Sequence, residues 1–305
     1  MIGWAPESET RAGAPYRVGG KVSLADGWMF SRLAHVTREV NEALEGYRFH
    51  EAAHVVYHFF WGDFCDWYIE WVKPQLSVPN RETATAAWKN IFAVFEEALR
   101  LLHPFMPFLT EELWHKLPQR AGAKSISLEK YPEPRSEWEN AAAEREMALL
   151  QEVIVAARNI RAEMKIDAKR KVTAELSSGD AGARKLVEAN LDAILRLATL
   201  EGVSLGSARL DGTGGAMRST AEFDLRIAYG EAVDAAAELA RLRKERERLA
   251  KDIESKKSRL ADETFRSKAP EKIVRGLEET LRERETEFRK VAERLAQLEG
   301  GTAAD

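Results

Sequence analysis

A chain of 305 residues has room for two or three small domains, and a hydrophobic fraction of 45% excludes a mostly disordered protein. The net charge of −4 conceals an uneven distribution: Arg241 to Arg275 holds 13 basic residues against 7 acidic ones, so that segment carries +6 and the chain before it is acidic. A single cysteine, Cys65, excludes a disulfide framework, and no apolar run of membrane-spanning length or signal-peptide core is present, so the expectation is a soluble cytoplasmic protein with no membrane partner.

Residues 1–22 are rich in Gly, Pro, Ala and charge without a period, which predicts a flexible N-terminal arm. Asp26 is suited to cap a helix with Trp28, Leu33, Val36, Val40 and Leu44 on one face, ending near Gly46. Tyr47 to Lys73 follows, with Phe49, Ala52, Ala53, Val56, Phe59, Phe60, Phe64, Trp67 and Trp71 at three- and four-residue steps. Its aromatic load predicts the central helix of a bundle, with neighbours on more than one side, stopping at Lys73-Pro74. A third helix is expected over Asn80–Leu102. A short one starting at about Thr110 should carry Glu111 and Glu112 in its positive first turn. Gly122 to Arg135 reads as loop, and Glu137 to Met164 as a long helix.

Composition then shifts. Lys171 to Ser177 alternates as a strand does, and Arg184 to Ala198 reads as a helix. Val203–Leu205 and Glu222–Tyr229 read as strands separated by a turn at Gly212–Gly215. Positions 239, 242, 246, 249, 253, 256 and 260, and then 274, 277, 281, 284, 288, 291, 295 and 298, step by three and four around a break at Pro270. That pattern predicts an antiparallel coiled-coil hairpin. Arms of about 25 residues would project roughly 40 Å at 1.5 Å per residue. The fold class is mainly α: a helical bundle over 23–165, a small α+β junction module over 166–230 and the hairpin over 231–300.

His50-Glu51-Ala52-Ala53-His54 spells the HExxH pattern, in which two histidines one turn apart hold zinc and the glutamate acts as base. His58 or Glu70 could supply a third ligand, for a zinc-dependent hydrolase. The pattern is short, and a histidine face on a bundle helix explains it without metal. Cys65 has no evident partner group and reads as a small buried hydrophobe. The hairpin is cationic along its first helix and tip, through Arg241, Arg243, Lys244, Arg248, Lys251, Lys256, Lys257, Arg259, Arg266, Lys268, Lys272 and Arg275. Charges on a coiled coil are usually a solvated face, and the hairpin could be a protein-interaction module. An excess of one sign would instead suit a phosphate backbone.

Several stretches together resemble one family. LADGWMFSRL, YRFHEAAHVVYHFFWGDFCDWYIEWVK, HPFMPFLTEELW and ARNIRAEMKI are similar to the anticodon-binding helical bundle of the valyl-tRNA synthetases. LATLEGVSL resembles the segment that follows, and LARLRKE and LADETFRSKAPEKIV resemble that family's C-terminal coiled-coil arm. The resemblance covers about residues 23 to 299, and FCDWYIE with the coiled-coil ending favours the valine enzymes over their isoleucine and leucine relatives. It implies the bundle type of a class I synthetase meeting the anticodon end of tRNA(Val), with the arm against the outer corner of the tRNA. Arg158, Asn159, Arg161 and Lys165, in the matching ARNIRAEMK stretch, would help to face the anticodon stem.

The departures also carry information. His50 stands where family members carry Asn, at a position with no metal role. The HIGH and KMSKS signatures are absent, and the nearest string, ESKKS at Glu254–Ser258, lies within a heptad helix. Nothing resembles the editing domain, and the bundle's usual first helix is not recognisable in Met1–Gly20. The expectation is a C-terminal, monomeric, tRNA-binding piece with no catalytic residues and no cofactor of its own. ATP would be used by the catalytic domain of the full-length enzyme.

Overall fold

The structure, a computed structural model, describes residues 22–78, 80–118, 122–210, 215–227, 235–262, 265 and 269–301. Apart from Val22, the expected N-terminal arm lies outside them. So do most of the Gly212–Gly215 turn, the end of the last strand at Ala228–Tyr229, and Arg266 and Lys268. The chain divides into two compact units, Met1–Ala148 and Leu149–Asp305.

In the first unit α1 spans Leu24–Glu45. Its cap is Ser23, three residues before the expected one: the Ser23 hydroxyl accepts from the Asp26 amide at 3.2 Å, and the Asp26 carboxylate accepts from the Ser23 amide at 3.1 Å. This reciprocal box satisfies two amides that a helix start leaves open. Asp26 is also buried, and its second oxygen accepts the Tyr68 hydroxyl at 2.6 Å. Burial, and then the Asp26 carboxylate, hold the Tyr68 hydroxyl in its protonated form far above the usual range. As expected, the helix ends at Gly46.

The aromatic stretch is one helical run with three windings. It comprises α2 (Phe49–His58), a π-helix over Phe59–Ile69, then α3 (Glu70–Val72), and it leaves through a 3-10 turn, Lys73–Ser77, around Pro74. Its buried positions explain the change of winding. Ala52, Val56 and Phe59 step by four and three, whereas Phe59, Phe64 and Tyr68 step by five and four. Bonds from i to i+5 make a wider turn, which keeps that second set on one face. Phe64 stacks on Phe95 of α4 (Arg81–Leu102) with ring centres 5.9 Å apart. The run has the expected neighbours on more than one side, α1 through the Tyr68–Asp26 bond and α4 through Phe60 and Phe64 on Phe95. One face is left open: Phe49, Tyr57 and Trp61 are 55–57% exposed.

Asn80 caps α4, its side chain accepting from the amides of Glu82 and Thr83. Helix α5 (Pro107–Trp114) starts three residues before Thr110, because Pro107 fits a first helical turn. Glu111 and Glu112 therefore lie beyond that turn, and Thr110 is buried with its hydroxyl donating to the Met106 carbonyl at 2.9 Å. Trp114 seals a cluster with Leu99, Leu117 and Ile126. Helix α6 (Ala141–Glu163) starts four residues after Glu137, since Ser136–Trp138 forms a 3-10 turn and the Asn140 side chain accepts from the Ala143 amide.

The second unit holds a four-stranded sheet: β1 (Val172–Ser177), β2 (Leu200–Gly206), β3 (Ala216–Ser219) and β4 (Asp224–Ile227), in the order β2-β1-β4-β3. The β1–β2 pair is parallel, and β4 runs antiparallel to both β1 and β3. The connection between the parallel strands is two helices, α7 (Ala181–Ala189) and α8 (Leu191–Ala198), broken at Asn190, where one was expected. Along β1, Val172, Ala174 and Leu176 are buried in alternation, as the sequence pattern requires.

The chain ends in α9 (Ala235–Ala261) and α10 (Glu271–Gly301), whose cross-helix ion pairs Arg243–Glu299 and Lys257–Glu285 fix an antiparallel register. Leu242, Leu249, Val291 and Leu295 make the seam, with Leu239 and Phe288 against it. The heptad is not apolar throughout: Arg246 is exposed, and Lys256 and Arg284 both pair with Asp252. The hairpin is not free along its whole length either. Its foot lies on the sheet module, with Lys290 donating to the Thr220 carbonyl and to Asp224, and Arg209 paired to Glu293. Between Leu249 and Glu287 no described residue is buried, so the projecting part is the distal half, about 18 Å along α9 at 1.5 Å per residue.

Near the foot Glu152 has its carboxyl pushed up to about 7, by desolvation first and then by Glu287, Glu222 and Glu283, against which Arg284 acts. A carboxyl raised above its unfolded value binds an extra proton on folding, so stability falls as pH rises from about 4.5 through 7. Glu152→Gln should therefore raise the unfolding midpoint at pH 8 by a few degrees, about 1 kcal/mol after solvent screening. The gain should vanish near pH 4.5, and thermal melts across that window measure it.

Candidate nucleic-acid interface

The twelve cations expected on the arm divide by environment. Arg241 is 14% exposed at its side chain and holds α9 down. It sits 3.1 Å from Glu163 and 3.2 Å from Glu245, and donates to the Met217 carbonyl. Lys256 is half-buried on Asp252. These two are engaged by the fold. Arg243, Lys251, Lys257 and Arg275 lie on exposed faces in ion pairs with Glu299, Glu247, Glu285 and Glu271. Such pairs are worth about 0–1 kcal/mol, so they exchange readily for another anion. Lys244, Arg248 and Lys272 are exposed without a carboxylate partner among the described residues. Arg259 spreads over the Phe265 ring, 4.5 Å from its centre, which anchors the stem of a charge that still faces water.

The four residues of the ARNIRAEMK stretch also separate. Arg161 is 7% exposed and spends its guanidinium on the carbonyls of Thr199 (2.9 Å), Asp167 (3.0 Å) and Ala168 (3.5 Å). Arg158 is exposed but donates to the Leu197 carbonyl at 2.8 Å. Asn159 and Lys165 are exposed. Lys165 takes φ 52 at the end of α6, where the Ile166 amide reaches the Arg161 carbonyl and the Lys165 amide reaches that of Ala162, a Schellman ending. Part of this basic stretch therefore builds the joint between α6 and α8.

The HExxH histidines do not converge. His50 is 85% exposed at its side chain, and Glu51 is paired with Arg48. His54 and His58 touch edge to face with ring centres 4.1 Å apart, on the exposed stripe of α2. Among the described residues no group of three or more His, Cys, Asp or Glu could hold a metal ion. The Cys65 thiol is pushed up by burial and by Asp66, which disfavours the thiolate a nucleophile needs. Six apolar heptad positions of the arm, Leu239, Leu242, Leu249, Phe288, Val291 and Leu295, pack on one another within the chain, and nothing here supports the interaction-module reading.

The chain runs from helices through a four-stranded sheet to a helical hairpin. Residues 26–176 match the family described as the anticodon-binding domain of tRNA ligase, so the class is that of the tRNA ligases. Residues 234–299, the hairpin, match the valyl tRNA synthetase tRNA binding arm. The valine–tRNA ligase of Solibacter usitatus is 39% identical over 272 residues, covering 88% of this chain and 30% of the relative. Those of Aquifex aeolicus and Thermotoga maritima are 35% and 36% identical, covering 90% and 91% of this chain but 24% and 30% of the relatives. The chain belongs to the valine–tRNA ligase family and corresponds to its C-terminal part. It spans less than a third of the length of these curated relatives.

No helix among the described residues is long and apolar enough to cross a membrane. The exposed aromatic stripe of Phe49, Tyr57 and Trp61 is not among the features expected from the sequence. The signal was available in the five-residue step from Phe59 to Phe64, which leaves Tyr57 and Trp61 off the packed face.

Proposed function

We propose that this chain is the tRNA(Val)-binding part of a valine–tRNA ligase. In this reading the bundle, residues 23–165, addresses the anticodon end, the module over 166–230 joins it to the arm, and the arm over 231–300 lies along the outer corner of the tRNA. The ATP-dependent attachment of valine belongs to a catalytic domain outside this sequence, with an editing domain beside it. The chain acts as a monomer in the cytoplasm.

The observation that carries the reading is the distal half of the hairpin. Its described side chains are all at least partly exposed, and Lys257, Arg259, Lys272 and Arg275 stand on it. A stiff helical pair whose residues 241–275 hold 13 basic against 7 acidic residues suits a folded RNA recognised by shape and phosphates. Each phosphate neutralised by such a charge releases counterions, so affinity must fall steeply with salt.

Filter binding or fluorescence anisotropy with tRNA(Val) tests this. Log K should fall with log salt at a slope of about −3 or steeper between roughly 50 and 200 mM. Reversing Lys257, Arg259 and Lys272 to Glu together should weaken binding by at least about tenfold at the lower salt. Binding indifferent to salt, or unchanged by the triple reversal, rejects the arm as the gripping element.

A further inference from the structure

At the foot of the hairpin, a cleft of about 390 Å³ is lined by Glu163 and Met164 at the end of α6, Arg218 on β3, and Arg241, Lys244, Glu245 and Arg248 on α9. Positions 241, 244, 245 and 248 fall on one helix face, so a single stripe of α9 forms a whole wall. Four cations meet two carboxylates, leaving an excess of two positive charges. A second cleft, about 410 Å³, is lined by residues that include Ser177, Asp224 and Lys290, but there Arg209, Arg289 and Lys290 are balanced by Glu222, Asp224 and Glu293.

The inner cations are not equally served. Arg241 has both its carboxylates at 3.1–3.2 Å. Arg218 has its nearest described carboxylate oxygens at 3.5 Å (Glu245) and 3.7 Å (Glu163), and its Nη1, though buried, has no hydrogen-bond acceptor among the described residues. Charge-assisted contacts of guanidinium with oxyanions close to about 2.7–2.9 Å, so these are loose. At the mouth, Lys244 and Arg248 are exposed with no carboxylate partner among the described residues. A loosely held guanidinium inside and two unpaired cations outside, in a concave site with net positive charge, are the donor set for a tetrahedral oxyanion.

We propose that this cleft is a phosphate-binding site, in which Arg218, Lys244 and Arg248 hold one phosphate group. The phosphate belongs either to an RNA backbone, fixing where the arm's foot meets the strand, or to a free phosphate ion. Only the first source rests on the tRNA-binding reading. Arg218 stands on the sheet and not on the arm, which separates its contribution from that of the distal charges.

Two measurements on the full chain test the site. Titration with inorganic phosphate against chloride at constant ionic strength should move the Arg218 Nε–H resonance saturably. Lys244→Gln with Arg248→Gln should weaken that response about tenfold, while Lys257→Gln with Lys272→Gln leaves it unchanged. In tRNA binding, Arg218→Met and, separately, the Lys244/Arg248 double variant should each reduce the salt slope by about 1. A phosphate response with an unchanged slope assigns the site to the free ion. A reduced slope for both variants assigns it to the RNA backbone. No saturable response together with unaltered slopes overturns the site, and so does a response equal in both double variants. Should the unaltered chain fail to bind tRNA, the functional reading falls and the phosphate titration alone decides the cleft.

Discussion

Replacing Asp26 with alanine should destabilise the first unit by about 3 kcal/mol, a fall of roughly 6–12 °C in its unfolding midpoint. Two losses combine at one side chain. The reciprocal half of the capping box is lost, because the Ser23 amide and hydroxyl no longer find the Asp26 carboxylate, which costs about 1 kcal/mol. The buried Tyr68 hydroxyl also loses its acceptor at 2.6 Å, and an unsatisfied buried donor costs about 1–3 kcal/mol. Tyr68→Phe should cost about 2 kcal/mol, because it strands the same oxygen of Asp26. The double variant should cost well under the sum, since removing both partners leaves neither group unpaired. Urea denaturation of the three variants measures this. Additive losses, or a loss below about 1 kcal/mol for the Asp26 variant, would mean that the α1–π-helix bond contributes nothing.

Much of this bundle can be read from residue spacing, and its departures have identifiable causes. α1, α4 and the hairpin follow three- and four-residue steps, and one apolar stripe suffices to locate each. The start of α1 lies at Ser23 and not at Asp26, although both are good capping residues. A capping box uses both, with the serine outside and the acid three residues in. The π-helix replaces an expected α-helix because aromatic residues at six of the eleven positions from Phe59 to Ile69 satisfy more than one period. Burial of Phe59, Phe64 and Tyr68 together is what selects the wider winding. The strand β3 is four residues, AMRS, too short for alternation to register, and its place is set by pairing Met217 with Arg226 on β4.

The proposed interface was legible in total charge but not in its allocation. A sequence counts Arg241 and Arg259 equally. The fold spends the first on Glu163, Glu245 and a backbone carbonyl, and lays the second across Phe265 with its charge toward water. What decides between them is distance from the sheet. α9 touches β3 through Arg218 and Met217 near its start and has no buried described residue beyond Leu249. The long-range partners Glu163 and Met217 are 78 and 24 residues from Arg241, and no local pattern relates them.

Arg161→Met should lower the stability of the second unit by about 3 kcal/mol while leaving tRNA affinity, measured well below the transition, within about threefold. The buried guanidinium supplies the N–H groups for the carbonyls of Thr199 and Asp167, with a longer contact to that of Ala168. Hydrogen bonds from a charged group contribute about 1.5–3 kcal/mol each, and a methionine of similar length recovers only part of that by packing. The site matters because two non-glycine residues with left-handed backbone, Lys165 and Thr199, flank the corner that Arg161 ties together. The neighbouring exposed side chains should behave in the opposite way. Asn159→Ala and Lys165→Gln leave the melting transition within about 1 °C, and any contact they make with RNA appears in affinity alone. A variant at Arg161 that melts like the parent but binds tRNA tenfold more weakly would show the guanidinium swinging outward to the nucleic acid, and would return this residue to the interface.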